Sequence, residues 1–271
     1  MTELHRPDAG AAWKPRVADP PLVNGTAYEL KFLLSTPLAD EVLARARGEM
    51  PPDPHAERGL GEDCYRVYSL YFDTPELAVY HRLGWHGRRK LRIRRYGEAP
   101  QLFLERKARK ADRVRKRRVV IAEEDLPLLA RGMCSPNWVG EWFSRRLATR
   151  RLEPRMLVGY HRIARVGMTS DGPARLTVDR QICCRPAEGL RVPSFSAGRW
   201  LLEGQSILEF KFVGFLPGLF KRLMYEFDLQ PTAVSKYRLS VAAWGEQASV
   251  DGRSGMASEA SLQGGRGAEC A

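Results

Sequence analysis

The chain has 271 residues, 44% of them hydrophobic, and a formal net charge of +12. That is enough for one large domain or two small ones with a sizeable core, and no apolar run approaches the roughly 20 residues that crossing a bilayer as a helix demands. The positive excess favours a polyanionic partner: nucleic acid, anionic lipid or a phosphate-rich small molecule.

Residues 1–26 are rich in Pro, Gly, Ala and charge, and are expected to form a disordered arm. The opening MTELHRPDAG has no apolar stretch of the kind a secretory signal needs. A cytoplasmic protein is therefore expected, with attachment to a membrane through a partner left open. The folded part is expected over 27–244, beginning with YELKFLL (28–34) as a strand. TPLADEVLARARGEM has helical apolar spacing after a Ser35 or Thr36 cap. YRVYSLYFDT (65–74) has the composition of a buried strand. KLRIRRY alternates strictly, QLFLERK follows across a short GEAP turn, and RVRKRRVVI extends the meander. EEDLPLLARGM and NWVGEWFSRRLATRRL read as helices. MLVGYHRIARVG and ARLTVDRQI form a second hairpin around TSDGP. SILEFKF is a late strand, LPGLFKRLMYEFDL an amphipathic helix, and SKYRLSVAAWG a closing helix capped by Ser235. Residues 245–271 are a low-complexity tail, expected to be disordered. The whole is an α+β chain built round an antiparallel sheet or barrel. The five cysteines match no zinc pattern or disulfide framework and read as reduced structural thiols. The five histidines show no metal spacing.

An ordinary antiparallel sheet has one apolar and one wet face. Here the second face is charged at nearly every position. Glu29 and Lys31 share a face; so do Lys90, Arg92 and Arg94, Glu105 and Lys107, Tyr160 and Arg162, Arg175, Thr177 and Asp179, and Glu209 and Lys211. Three strands repeat Glu-x-Lys in phase, as ELKF, ERKA and EFKF. A solvated face explains any one strand. The set together points to a closed barrel whose outer wall packs on helices and whose lumen holds many cations and a few carboxylates. Arg and Lys bind phosphate oxygens by charge-assisted hydrogen bonds. Carboxylates among them make sense as ligands for a hard divalent cation that bridges phosphates. The lumen thus implies a metal–triphosphate substrate. The basic strands lack the aromatic interleaving of a nucleic-acid stacking platform, so no nucleic acid is expected there.

In this order, ELKF, YFDT, KLRIRRY, LERK, VRKRR, YHR, LTVD, ILEFKF and SKY resemble the VTC domain of the triphosphate tunnel metalloenzymes, the wider group that includes the CYTH proteins. The resemblance implies an antiparallel β-barrel tunnel flanked by helices. It also implies a polyphosphate polymerase that moves the γ-phosphate of ATP onto a polyphosphate chain with manganese or magnesium. By resemblance Lys31, Arg92, Arg94, Lys107, Lys116, Arg162 and Arg175 hold phosphates. Glu209 binds metal, with Glu29 and Glu105 ranked below it. Ser235 and Lys236 serve the tunnel mouth or the phosphates, with Tyr160 nearby. Many hydrolytic relatives open with ExExK; here Ala27 stands at the first glutamate, which favours the polymerase branch over triphosphatases. An inorganic triphosphatase or a non-catalytic polyphosphate or nucleotide sensor is the alternative.

Plainer roles stand beside these. Lys116 lies in a run of Arg and Lys in which any member is equally a surface residue. Lys90 and Arg95 flank the motif and read as rim or surface. Lys211 is placed to pair with Glu209, Asp179 to orient Arg175, and Glu29 and Glu105 to pair with neighbouring lysines. Ser235 is a good helix cap without any chemistry.

Overall fold

The computed structural model describes residues 27–53, 56, 63–110, 113–130, 136–170 and 172–245. The arm expected at 1–26, all but Gly245 of the tail expected at 245–271, and Cys134 and Cys270 lie outside the described residues. The strands form where the two-residue alternation is strongest: β1 (Ala27–Ser35), β2 (Cys64–Asp73), β3 (Arg89–Tyr96), β4 (Gln101–Lys110), β5 (Arg113–Ala122), β6 (Glu153–Thr169), β7 (Gly172–Pro186) and β9 (Gln205–Val213). The three-residue β8 (Arg199–Leu201) is too short to show a period and has no sequence signature.

All the strand pairs are antiparallel, in the order β1-β9-β7-β6-β2-β3-β4-β5, with β8 on β7. The GEAP and TSDGP turns join β3 to β4 and β6 to β7 as expected. Full closure is where the structure departs from the sequence reading. Among the described residues no backbone ladder joins β1 to β5. Side chains bridge the seam instead: Lys107 Nζ on β4 donates to both carboxylate oxygens of Glu29 on β1, each at 2.7 Å. An edge strand as dense in Arg and Lys as β5 repels a further pairing partner.

Most of the outer wall is apolar and carries the helices. Helices α1 (Thr36–Arg47) and α4 (Gly218–Glu226) cover β1, β9 and β7 through Val42, Leu43, Leu176, Phe210 and Phe220. The stacked Phe210–Phe220 pair, 4.2 Å between ring centres, fixes that contact. Helices α2 (Leu126–Ala130) and α3 (Glu141–Thr149) cover the other half through Leu129, Phe143 and Leu147 against Phe72, Leu91 and Leu104. Pro127 sits in the first turn of α2, where its missing N–H costs no bond; a 3-10 turn, Glu123–Asp125, precedes it, and the end expected at Met133 lies outside the described residues.

The last helix, α5 (Lys236–Trp244), has a different position, which a bulge in β7 prepares. The register slips between Gly159 and His161 of β6, and Gln181 adopts φ 51°. Past the bulge β7 changes phase: Ile182 and Cys184, rather than Gln181, join the core with Tyr160 and Ile207. Tyr237 and Val241 of α5 bury against this apolar patch. The N-terminus of α5 is thereby brought to the charged face. No helix among the described residues is long and apolar enough to cross a membrane.

Candidate active site

The charged face is a network in which each carboxylate serves several cations. Lys31 Nζ lies 2.7 Å from Glu209 and 3.2 Å from Glu29, so one ammonium joins two carboxylates. The β1–β9 register explains this: Lys31 faces Glu209 and Glu29 faces Lys211, so repeated Glu-x-Lys on antiparallel neighbours makes a checkerboard. Lys211 completes Glu209 from β9 at 3.1 Å, and Lys236 reaches it from α5 at 3.8 Å. Burial and Glu209 raise the Glu29 carboxyl, yet Lys31, Lys107 and Lys211 outweigh them and hold it well below the usual carboxylate range. Glu209 is likewise raised by burial and then driven well down by Lys31, Lys211, Lys236 and Arg162. Both are anions.

Asp179 is the second hub. Arg162 grips it bidentately at 2.6 and 2.7 Å, and Lys236 approaches at 2.5 Å. Burial raises its pKa, but Arg162 and Lys236 bring it to about 2. Glu105 is the third. Arg92 (2.6 Å), Lys116 (3.1 Å), Arg118 (3.3 Å) and Arg94 (3.8 Å) ring it, and its side chain is 2% exposed. Arg94 also donates to Ser69 Oγ at 3.2 Å and Tyr160 Oη at 3.1 Å, which locks the guanidinium.

These contacts correct three of the plainer readings. Asp179 orients Arg162 and Lys236, not Arg175. Arg175 is held by Asp53 and, at 2.9 Å, by Tyr65 Oη. Lys90 is no rim residue: its Nζ donates to Ser235 Oγ at 2.7 Å, so Ser235 serves both this lysine and the Arg238 N–H of its own helix. Arg95 lies on the opposite face but is no surface residue either: it is buried there, paired with Glu123. Lys211 pairs with Glu209 as anticipated. The structure brings together Lys31, Glu29, Lys107, Glu209 and Lys236, and separately Arg92, Arg94, Lys116, Tyr160 and Glu105. Arg162 belongs to the Asp179 hub, next to the first group. Arg118 was missed, although its alternation with Lys116 marks it, because only pairing with Glu105 reveals its place.

Among the described residues no group of three His, Cys, Asp or Glu is placed to hold a metal. Glu105 is spoken for by its four cations. Glu29 and Glu209 remain, meeting at one ammonium. Such a pair fits magnesium or manganese, which are held by one or two carboxylates with waters and substrate phosphates completing the shell. Thr177 faces Glu209 across the β7–β9 ladder, and its buried hydroxyl has no partner among the described residues.

Three groups on this face titrate near neutrality. Burial lowers the Lys90 pKa to about 8; Tyr71 opposes the shift, while Lys31, Lys107 and Arg82 add to it. Burial raises the Tyr71 phenol, but Arg92, Arg94 and Lys236 outweigh it and bring it to about 8. Tyr96 reaches about 8 in the same way through Arg94 and Arg118. Above pH 8 the site therefore loses one positive charge and gains two negative ones. A polyanion held on this face would favour the protonated form of each group, so its binding would take up protons and weaken as pH rises. Each titrating group contributes up to about tenfold per pH unit. The Kd for tripolyphosphate, measured by calorimetry, is expected to rise at least about tenfold from pH 8 to 9, and Lys90→Arg to remove about one power of ten per unit from that slope. A flat profile would refute this account.

A model of the VTC domain family matches residues 26–245. Comparison with curated proteins found no match. Among solved structures, a candidate adenylate cyclase from Bacillus halodurans is similar at 14% identity and a TM-score of 0.48, covering 78% of this chain and 94% of its own. A Hippeastrum protein, described as a candidate adenylyl cyclase with dominant triphosphatase activity, is similar at 15% identity and a TM-score of 0.47, covering 80% and 96%.

Proposed function

The chain belongs to the VTC domain family, and on that premise we propose that it is a metal-dependent polyphosphate polymerase. Its substrates are ATP and a polyphosphate chain, its cation Mn2+ or Mg2+, and its site the charged face of the curled sheet. One observation carries the reading. Cations outnumber carboxylates on that face, and the carboxylates that are present space the cations rather than cancel them.

Phosphoryl transfer needs positioning and charge neutralisation more than a covalent partner. Arg92, Arg94, Lys107, Lys116, Arg162 and Lys236 supply guanidinium and ammonium donors for the phosphate oxygens. Their carboxylate and phenol contacts fix them before substrate arrives, so little reorganisation is left for the reaction itself. Lys31, Lys90, Arg118, Arg175 and Lys211 extend the same surface, with Ser235 and Tyr160 orienting their neighbours. Glu29 and Glu209 are the residues to hold the metal, which when bound adds Lewis-acid charge at the phosphate oxygens. Cys184 is not suited to attack phosphorus: burial pushes its thiol up to about 11.

The test is incubation of the purified protein with ATP and manganese, followed by gel separation of long polyphosphate. Polymer and ADP are expected. Stoichiometric ADP and orthophosphate without polymer would reject the polymerase, and orthophosphate release from tripolyphosphate would identify the triphosphatase alternative.

A further inference from the structure

The outer wall carries a second cationic surface that the tunnel chemistry does not use. Arg106 and Arg117 face each other across the β4–β5 ladder, on the side opposite Lys107 and Lys116. From α3, Arg146 lies 5.7 Å over the Trp85 ring; Arg150, just past the helix end, lies 4.5 Å over the same ring and Arg89 4.6 Å. Arg117 lies 4.4 Å over Trp142. The tryptophans thus gather guanidinium groups from two strands and from α3 and its end onto one face, beside Arg106.

Carboxylates are missing from this arrangement. Among the described residues, none of Arg89, Arg106, Arg117, Arg146 and Arg150 has an ion-pair partner; the nearby Glu141 pairs with Arg145 instead. Donors are also left over inside the patch. Arg106 Nε and Arg150 Nε are buried without an acceptor, and so is the indole N–H of Trp142, a residue only 4% exposed. Burial lowers the Arg106 pKa, and Arg146, Arg117 and Arg89 lower it further, so the mutual repulsion is uncompensated. Cation–π contacts at these distances are attractive. They hold α3 on the sheet, but they do not supply acceptors for buried donors.

We propose that this outer arginine face is a second anion site that binds an inorganic phosphate chain, continuous with the tunnel along β3. Continuity comes from β3: Arg89, its first residue, belongs to the patch, while Lys90 beside it faces the tunnel and reaches Ser235. A chain of phosphates is favoured over nucleic acid because guanidinium groups already cover the indole faces, leaving no ring free to stack a base. A phosphate chain presents only oxygens at close spacing, which suits a field of guanidinium donors. The ligand's identity rests on the polymerase reading; the existence of the site does not.

The test uses the full chain and two probes, tripolyphosphate and long-chain polyphosphate, titrated over a range of salt. In the combined variant Arg117→Gln, Arg146→Gln, Arg150→Gln, long-chain affinity is expected to fall at least about tenfold, and its log–log salt slope by roughly two, as three phosphate contacts are lost. Tripolyphosphate affinity is expected to stay within about twofold, because that ligand is confined to the tunnel. The Arg→Lys version of the same three positions keeps the charges and is expected to keep the slope, which guards against a glutamine variant that fails to fold. Unchanged long-chain affinity in a folded glutamine variant overturns the proposal and leaves the arginines as ties for α3. Oligothymidylate of equal charge outcompeting the phosphate chain overturns it in favour of nucleic acid. If tripolyphosphate does not bind at all, the tunnel reading fails, while loss of long-chain binding in the variant still upholds the outer site.

Discussion

Replacing Glu105 by alanine is expected to destabilise the fold by roughly 3–5 kcal/mol, the range seen when one partner of a buried ion network is removed. The reason is geometric. Arg92, Arg94, Lys116 and Arg118 all lie within 3.8 Å of this carboxylate, from the two strands that flank its own. Without it four cations face one another in a poorly solvated space. For a domain of this size the melting temperature should drop by roughly 6–20 °C. Added tripolyphosphate should restore much of the loss, because an anion that binds only the folded state returns the missing charge. The sign of the pH effect follows from the direction of the shift. Burial raises the Glu105 pKa, and Arg92, Lys116, Arg94 and Arg118 then drive it well below its unfolded value. Its stabilisation is therefore complete above the unfolded pKa and is lost as pH falls through the folded one. The alanine variant should have a flatter acid limb than the parent. A melting temperature within 2 °C of the parent would show that the four cations are solvated without Glu105.

Glu209→Ala is expected to lower polymer formation by about 10²–10⁴-fold, the equivalent of several kcal/mol of charge stabilisation at the reacting phosphates. What makes this informative is the opposite effect on binding. Glu209 contacts Lys31, Lys211 and Lys236. Removing it adds net positive charge where phosphates are proposed to lie, so metal-free tripolyphosphate should bind tighter, not weaker. Turnover measured with manganese and affinity measured in chelator should therefore move apart. If both fall together, Glu209 is a scaffold for the three lysines and the metal belongs elsewhere. Glu209→Gln keeps the shape and loses the charge, and should follow alanine in turnover.

Much of the fold was legible because it is written at short range. Period-two alternation over KLRIRRY, QLFLERK and SILEFKF places charges on one face through backbone geometry alone, and the GEAP and TSDGP turns dictate their own hairpins. The repetition of Glu-x-Lys likewise exposed a charged interior before any pairing was known. Those signals singled out Lys31, Lys107 and Glu209, and the structure gathers these with Glu29 in one network.

Partner choice was a different matter. Arg175 meets Asp53 across 122 positions and Lys90 meets Ser235 across 145, and no local pattern encodes either meeting. Lys90 read as a flank because its own strand offers no carboxylate; α5 supplies its acceptor. The bulge at Gln181 turned β7 over and made room for α5, which a strict alternation could not anticipate. Closure of the tunnel fell to the Lys107–Glu29 bridge rather than to backbone pairing, because the seam is set by how far the whole sheet curls. Outside the β7 bulge, the sequence by itself therefore determined which strand side chains face inward, since that follows from a two-residue repeat. Only the tertiary structure decided which charge meets which, since that depends on strand order, register and the docking of one late helix.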